Sequence, residues 1–242
     1  MAKKTQATIG IGSDEKAGIG VVGIKRARKE KVADVKVFHD AQKLVSALKN
    51  GAIDGAVRGS LGSKAVLGSL KSEFGVKKTL RTALLATKDD RLVLLAPVGV
   101  DEGQNPEEKM ELILLGSELM AKFGAKPKIA ILSGGRLEDQ GRHPKVDETL
   151  IESQRLTDLA LEKGFDVKHM GILLENAFEA SNFVVPFDGI TGNLIFRARH
   201  FFGGTKSFGA PVVNIPRVFV DTSRAKRNYF DSIVLASALC GL

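Results

Sequence analysis

The chain has 242 residues, of which 43% are hydrophobic and 26% are charged, and its formal net charge is +8. These values are typical of a folded globular protein and exclude an intrinsically disordered one. Because no apolar run reaches the roughly 20 residues that cross a bilayer, and no signal-peptide core follows Met1, we expect a cytoplasmic protein with no membrane partner.

Short β-rich runs alternate with helical periods along the chain, a pattern typical of an α/β fold with a largely parallel sheet. Strands are predicted at 7–11, 35–38, 53–57, 80–86, 91–98, 128–132, 167–173, 183–186, 212–215 and 218–220. The clearest helices are predicted at 106–123 and 146–163. The first has Asn105 as a candidate N-cap, Pro106 in its first turn and Gly124 after its end.

Two of the predicted strands are separated by only four residues, 87–90, which is too short for a helical crossover. We therefore expect 80–86 and 91–98 to pair as an antiparallel hairpin, which makes the sheet mixed. The polar segment 99–105 then predicts a linker, and the composition changes again at 203–211.

Three glycines, Gly18, Gly20 and Gly23, form a literal G-x-G-x-x-G motif. In a dinucleotide site the first glycine directly follows a strand, but here the predicted strand 7–11 ends several residues earlier. Residues 13–14 offer a helix cap that would place the glycines inside a helix. The motif therefore favours close helix packing over nucleotide binding.

The loop after strand 53–57 contains Arg58, Ser60 and Ser63 among small residues and leads into a helix. Backbone amides at such a junction can hold an anion and gain from the helix dipole. A plain strand-to-helix connection with glycine punctuation explains the same pattern equally well.

The loop after strand 128–132 begins with Ser133 and contains Arg136. Ligands of open α/β sheets bind at the carboxyl ends of strands, so this loop is expected on the functional edge. Arg136 is a candidate clamp for a phosphate, and an exposed arginine without a specific role is the open alternative.

The segment Asp188-Gly-Ile-Thr-Gly192-Asn193 follows strand 183–186 and is the strongest local signal. Its glycines would let a substrate approach closely, and Asn193 can bond both a ligand oxygen and the loop backbone. A hairpin turn is the alternative, but the residues that follow have helical spacing.

A hydroxyl, a guanidinium and a carboxylate follow the predicted strand 218–220. They are Ser223, Arg224 and Asp231, which lies eight residues after Ser223. Together such groups can stabilise a developing negative charge and move a proton. Asp231 is an equally good candidate for a helix N-cap.

Cysteine and histidine usage argues against a metal centre. The single cysteine, Cys240, excludes an internal disulfide and a cysteine-based zinc site. The four histidines have none of the spacings of metal-binding motifs. We expect no bound metal and no tightly bound cofactor.

The positive charge is concentrated at 25–31 and at 197–227, and it suits either nucleic acid or an anionic small molecule. Proteins that bind single strands interleave aromatic side chains for stacking, whereas this chain has one tyrosine and no tryptophan. A small molecule that carries phosphate is therefore the favoured partner, and nucleic acid the least favoured.

These motifs carry a family resemblance. The Asp188 to Asn193 segment resembles that of the phosphate acyltransferases of lipid synthesis, and Ser223-Arg224 followed by Asp231 resembles the phosphotransacetylases. Over nearly its whole length the chain is similar to the MtxX family, also called methanogenesis marker protein 4. That family is named as a methyltransferase subunit and belongs to the phosphate acetyl/butyryl transferase superfamily.

The resemblance implies an α/β, two-lobed three-layer sandwich with mixed, mostly parallel sheets, like that of isocitrate and isopropylmalate dehydrogenases. The first lobe would comprise 1–98 plus 216–242 and the second 99–215, with an active cleft between them. It also implies a homodimer.

The resemblance further implies roles for three residues. Ser223 would bond the reacting oxygen, Arg224 would hold developing negative charge, and Asp231 would act as base on a thiol co-substrate such as coenzyme A. Asp231 departs from the family spacing by one residue, which turns a helical side chain by about 100° unless a loop absorbs it.

Three functions follow in order of preference. The first is a phosphotransacetylase-like transferase of methanogen-type metabolism that binds an acyl phosphate, phosphate or thioester. The alternative is a methyl-transfer or accessory subunit that works with a methyltransferase or corrinoid protein and has no acyltransferase activity. The third is a nucleic-acid-binding protein.

Overall fold

The computed structural model describes residues 6–14 and 21–242, which form two compact units. Unit 1 combines the described residues of Met1–Thr79 with Ser207–Leu242, and unit 2 is Leu80–Lys206. The boundaries between the predicted lobes lie after residues 98 and 215. The boundaries between the observed units lie after residues 79 and 206.

The described residues form ten strands and eight α-helices, each set numbered in chain order. The strands are β1 (Thr8–Gly12), β2 (Asp34–Phe38), β3 (Gly55–Val57), β4 (Ala83–Ala86), β5 (Leu92–Leu95), β6 (Lys128–Ile131), β7 (Asp166–His169), β8 (Phe183–Val185), β9 (Lys206–Pro211) and β10 (Val218–Asp221). The helices are α1 (Val21–Lys29), α2 (Ala41–Lys49), α3 (Ser63–Phe74), α4 (Pro106–Lys122), α5 (Pro144–Glu162), α6 (Leu174–Ala180), α7 (Gly189–Arg197) and α8 (Phe230–Cys240).

Unit 1 has the strand order β2-β1-β3-β10-β9. Its first four strands run parallel, and β9 is antiparallel to β10. The apolar faces of α2 and α3 bury leucines and valines at helical spacing, such as Leu44 with Leu48 and Val66 with Leu70, against the central strands.

Unit 2 has the strand order β4-β5-β8-β6-β7. The predicted hairpin is confirmed, since β4 and β5 pair antiparallel, while β5, β8, β6 and β7 are parallel. The pairing of β5 with β8 explains why the hairpin belongs to unit 2 and not to the first unit of the chain.

The fold class predicted from the sequence is confirmed: the structure is α/β, with mixed, mostly parallel strands flanked by helices. The two clearest predicted helices are also present, as α4 and α5. Asn105 caps α4, and its side-chain oxygen accepts from the backbone N–H of Glu108 at 2.8 Å.

The strand predicted at 212–215 is wrong. The chain instead forms β9 at Lys206–Pro211, which pairs antiparallel with β10 through Pro211 and Val220. β9 contains Gly209 and Ala210, which have low strand propensity, so its position is set by pairing with β10 rather than by composition.

Two of the three motif glycines, Gly18 and Gly20, lie outside the described residues. Gly23 lies in α1, where a Cβ would meet the Asn228 side chain and the backbone nitrogen of Phe230. Its packing against the start of α8 therefore requires glycine. Among the described residues, every helix is either too short or too polar to cross a bilayer.

Candidate functional site

Three parallel strands of unit 1 end at the same edge of the sheet. In the register, Ile11 lies opposite Val57, and Val57 lies opposite Val220. The residues that follow these positions on β1, β3 and β10 therefore meet at one edge. This is the edge at which ligands bind in open α/β sheets.

Arg58 and Asp221 form a buried ion pair at this edge. The Nε of Arg58 donates to Oδ1 of Asp221, and the two side chains are 6% and 10% exposed. Arg58 also donates from Nη1 to the carbonyl of Leu61 at 2.9 Å, and the Thr222 backbone N–H donates to Asp221 at 2.9 Å. These contacts fix the ends of β3 and β10 relative to each other.

The short loop after β3 is held on both sides by its neighbours. The Thr222 hydroxyl donates to the carbonyl of Gly59 at 3.0 Å, and the Ser60 hydroxyl accepts from the Asp14 backbone N–H at 2.8 Å. Gly59 has a φ of 62°, and a Cβ there would overlap the carbonyl oxygen of Gly12. Only glycine fits this position.

We call Arg58, Ser60, Asp221, Thr222 and the following turn 223–228 the strand-end cluster.

The turn 223–228 presents Ser223 and Arg224. Ser223 is half-buried, and its hydroxyl accepts from the Ala225 backbone N–H at 3.2 Å. Arg224 is exposed and makes no ion pair or hydrogen bond with the described residues. Asp231 is half-buried in the first turn of α8, whose N-cap position is Tyr229, so Asp231 is not the cap.

Two buried side chains of the same segment were not expected as site residues. Lys226 is 9% exposed, and its Nζ donates to the carbonyl of Ser207 at 2.7 Å and to the Ser232 hydroxyl at 3.1 Å. Tyr229 is 1% exposed, and its hydroxyl has no hydrogen-bond partner among the described residues. Burial raises the pKa of Tyr229, although the nearby charge of Arg58 lowers it.

The segment 188–193 of unit 2 begins α7, as its spacing predicted. Asp188 is the N-cap, and its Oδ1 accepts from the Thr191 N–H at 2.7 Å. A Cβ at Gly189 would overlap the carbonyl oxygen of Gly99, and a Cβ at Gly192 would overlap that of Pro97. Both glycines therefore let the helix approach its own chain closely.

Asn193 belongs to the same contact. Its side-chain amide donates to the carbonyl of Val98 at 2.9 Å, as its predicted bond to the loop backbone requires. The loop is held in turn by Glu102, a fully buried residue that accepts from Arg81 Nε at 2.6 Å and from the Gly99 N–H at 2.9 Å. Burial raises the pKa of Glu102, and the Arg81 charge opposes this.

Ser133 lies two residues after the end of β6 and is buried beside His169 at the end of β7. Its hydroxyl donates to the carbonyl of Gly135 at 2.8 Å and lies 2.9 Å from Nε2 of His169. Because the Ser133 hydroxyl already donates its proton to the Gly135 carbonyl, Nε2 of His169 is the donor to the Ser133 oxygen. Spacing gave no signal for it, since the two residues are 36 apart in the chain.

Two further predicted residues lie in loops or at a helix end. Arg136 is exposed, with Nη1 at 3.9 Å from the Glu138 carboxylate. Ser63 is the first residue of α3, whose N-cap residue is Gly62. Neither position contradicts a binding role, which stays a prediction for both.

His169 makes the stability of unit 2 depend on pH. Burial holds the pKa of His169 below its ordinary value, so the folded state binds this proton less tightly than the unfolded chain. The associated stability is fully present above about pH 6.5 and is lost as the pH falls through the lower folded pKa. We expect His169→Gln, which keeps a donor for Ser133, to lose less stability than the wild type between about pH 7.5 and pH 5.5 in denaturant unfolding. Equal losses in the two proteins would contradict this.

The predicted site residues divide between the units. Arg58, Ser60, Ser63, Ser223, Arg224 and Asp231 lie in unit 1, and Ser133, Arg136, Asp188, Gly192 and Asn193 lie in unit 2. Among the residues in unit 1, Arg58 contacts Asp221 directly, and the Ser60 hydroxyl accepts from Asp14. Over residues 6–14 and 21–242, no group of three or more His, Cys, Asp or Glu side chains is arranged to hold a metal ion.

Comparison with known sequences gives strong matches, although no protein-family model matches the chain. It is 44% identical over 204 residues to a Methanosarcina mazei protein provisionally named methyltransferase mtx subunit X, covering 84% of this chain and 73% of the relative. A Methanosarcina barkeri protein of the same name is 41% identical, covering 93% and 84%. A Sulfurimonas denitrificans phosphate acyltransferase is 29% identical, covering 68% and 52%.

Solved structures show the same fold at low identity. A branched-chain phosphotransacylase from Enterococcus faecalis has a TM-score of 0.72 and 18% identity, covering 97% of this chain and 98% of that one. A phosphotransacetylase from Streptococcus pyogenes has a TM-score of 0.68 and 15% identity, covering 98% and 94%.

Proposed function

This chain belongs to the family provisionally named methyltransferase mtx subunit X, and from that premise we propose that its strand-end cluster binds the phosphate group of an acyl phosphate in a phosphotransacetylase-like acyl transfer. The observation that supports the proposal is that Arg58 and Ser60 follow β3 and that Ser223 and Arg224 follow β10, at the shared carboxyl edge of three parallel strands. The phosphotransacetylase fold of the chain supports the same class of ligand.

The two arginines of the cluster have different roles. Arg58 is buried and neutralised by Asp221, so it positions the loops. Arg224 is exposed and unpaired within the described part of the chain, so its guanidinium is available to an anion. A guanidinium binds phosphate through parallel N–H donors, which is the strong form of this interaction. Ser223, beside it, supplies a hydroxyl to a second oxygen.

The proposed reaction transfers an acyl group to a thiol, with coenzyme A as the candidate co-substrate. The thiol sulfur attacks the acyl carbon, a C–S bond forms, and the bond from that carbon to the phosphate oxygen breaks. Phosphate leaves with its electron pair, and the thiol proton passes to Asp231 and then to phosphate. Arg224 stabilises the charge on the leaving phosphate. Atoms balance as acyl phosphate plus thiol giving thioester plus hydrogen phosphate.

Arg224→Ala tests this proposal, with Arg227→Ala as the matched control because Arg227 is an exposed arginine of the same turn. We expect calorimetric titration with inorganic phosphate to show binding weakened about tenfold or more in Arg224→Ala, as for a lost charge-assisted contact. Arg227→Ala should stay within about twofold of the wild type. The rate of thioester formation from acetyl phosphate and coenzyme A should fall in parallel in Arg224→Ala.

Two outcomes would overturn the proposal. One is an absence of phosphate binding by the wild type, and the other is equal weakening by the two alanine variants, which would indicate a diffuse surface charge.

A second function follows from the names of the relatives, which call them subunits of a methyltransferase. In that case the chain is an accessory or methyl-transfer subunit, and it should co-purify with a methyltransferase or corrinoid protein. A stable complex together with no acyl transfer would favour this function over the first.

A further inference from the structure

The side chain of Tyr229 is buried, and its hydroxyl has no hydrogen-bond partner among the described residues. Four buried side-chain atoms of the described residues lack a hydrogen-bond partner: Thr82 Oγ1, Ser117 Oγ, Arg199 Nε and the Tyr229 hydroxyl. The first three belong to unit 2. Within the described part of unit 1, the one such atom is the hydroxyl of Tyr229, which directly follows the turn 223–228 of the strand-end cluster. Buried polar groups are normally satisfied, so an orphan beside a candidate site needs an explanation.

The position of Tyr229 is set by packing. It precedes α8, and the start of that helix lies against α1 at Gly23, where a Cβ would lie 2.8 Å from the Phe230 nitrogen. The Phe230 N–H is satisfied by the Asn228 side chain at 2.9 Å. The backbone that carries Tyr229 is therefore held between the start of α8 and α1.

The phenol lies within electrostatic reach of the Arg58 guanidinium, whose charge acts on it. A phenol is protonated at neutral pH, and burial raises the pKa of Tyr229 further, so its hydroxyl is available as a neutral donor. A neutral donor beside a paired guanidinium suits an acceptor such as a phosphate oxygen, which has lone pairs and no proton to give.

We propose that the Tyr229 hydroxyl donates a hydrogen bond to the anion held by the strand-end cluster and is a ligand-binding residue of that site. This rests on the proposed phosphate site and adds to it a buried donor that directly follows the turn 223–228 in the chain. Because the hydroxyl is buried, the proposal requires the turn 223–228 to move outward before an anion can reach it. That turn is exposed or half-buried except at Lys226.

The chain offers a direct readout, since Tyr229 is the only tyrosine and there is no tryptophan. Intrinsic emission therefore reports on this phenol alone. On titration with inorganic phosphate, we expect the wild-type emission to change with the same midpoint as the calorimetric binding curve. Sodium chloride at matched ionic strength should leave the emission unchanged.

Tyr229→Phe removes only the hydroxyl, and Thr82→Val is its control because it removes another buried, unpartnered hydroxyl in unit 2. Loss of an unsatisfied polar group should raise the melting temperature of both ligand-free variants, or leave it unchanged. Phosphate binding should weaken about fivefold in Tyr229→Phe and stay within about twofold of the wild type in Thr82→Val.

The outcomes separate this inference from the proposed function. If the wild type binds phosphate and Tyr229→Phe binds it equally well, or if the tyrosine emission does not respond, the role of Tyr229 is overturned while the phosphate site stands. If the wild type does not bind phosphate, both are overturned. A lower melting temperature for Tyr229→Phe without phosphate, together with unchanged binding, would identify Tyr229 as a structural residue.

Discussion

Replacing Arg58 with methionine is expected to lower the free energy of unfolding by about 3–5 kcal/mol, because it leaves the Asp221 carboxylate buried without its guanidinium partner. The pair joins the ends of β3 and β10 and is nearly inaccessible to solvent. The reverse change, Asp221→Asn, leaves the arginine charge buried alone and should cost a similar amount. Denaturant unfolding of each variant measures both.

The double variant Arg58→Met/Asp221→Asn separates pairing from packing. The double variant should lose much less free energy of unfolding than the sum of the two single losses. Each single substitution is severe because it leaves one buried charge without a partner, and the double variant leaves none. Arg155→Met provides the exposed comparison, because Arg155 and Glu107 are paired with about three fifths of each side chain exposed. That variant should lose less than about 1 kcal/mol. Similar losses in Arg58→Met and Arg155→Met would show that the Asp221 site is open to water.

The ion pair also shows what the sequence could and could not predict. The sequence alone shows that Arg58, Ser223 and Arg224 follow predicted strands, which makes them candidate site residues. It does not pair Arg58 with Asp221, because the two are 163 residues apart and the contact depends on the order of the strands. Strand order follows from which faces the helices bury, and a single sequence does not give it.

Tyr229 and Lys226 were missed for a related reason. In the sequence, Lys226 is one cation in a basic segment and Tyr229 is a lone aromatic, and such residues are normally placed on the surface or in an apolar core. Both residues are buried because α8 packs on the strands. Those contacts join residues that are far apart in the sequence. A partnerless hydroxyl can be recognised only once its neighbours are known.

The secondary structure of the segment 188–193 was predicted correctly. The reason for its glycines differs from the predicted one, which was the close approach of a substrate. Spacing identified a strand, a tight loop and a helix, as the structure has them. The close approach that Gly189 and Gly192 permit is to the backbone of 97–99. Glycine marks close approach in a sequence, but it does not say which group approaches.

Alanine at Gly192 is therefore expected to destabilise the protein by about 3 kcal/mol, near the upper end for overpacking, because its Cβ would overlap a backbone carbonyl that cannot rotate away. The same substitution at Gly68 supplies the matched control. Gly68 also lies inside a helix, α3, but it is exposed and nothing lies within 4 Å of its Cβ position. There alanine should raise the free energy of unfolding by about 0.5–1 kcal/mol, through helix propensity alone.

The expected changes in the free energy of unfolding have opposite signs at the two positions. Because the substitution is the same in both helices, the difference reports on the space around each glycine. Thermal unfolding of Gly192→Ala and Gly68→Ala should move in opposite directions from the wild type. Gly192→Ala should also displace the loop that Asn193 contacts, because the α7 residues on either side of it bond or touch the backbone of 97–99. If Gly192→Ala instead behaves like Gly68→Ala, α7 does not rest on that loop, and the helix start that carries Asp188 and Asn193 is free to serve a ligand as the sequence suggested.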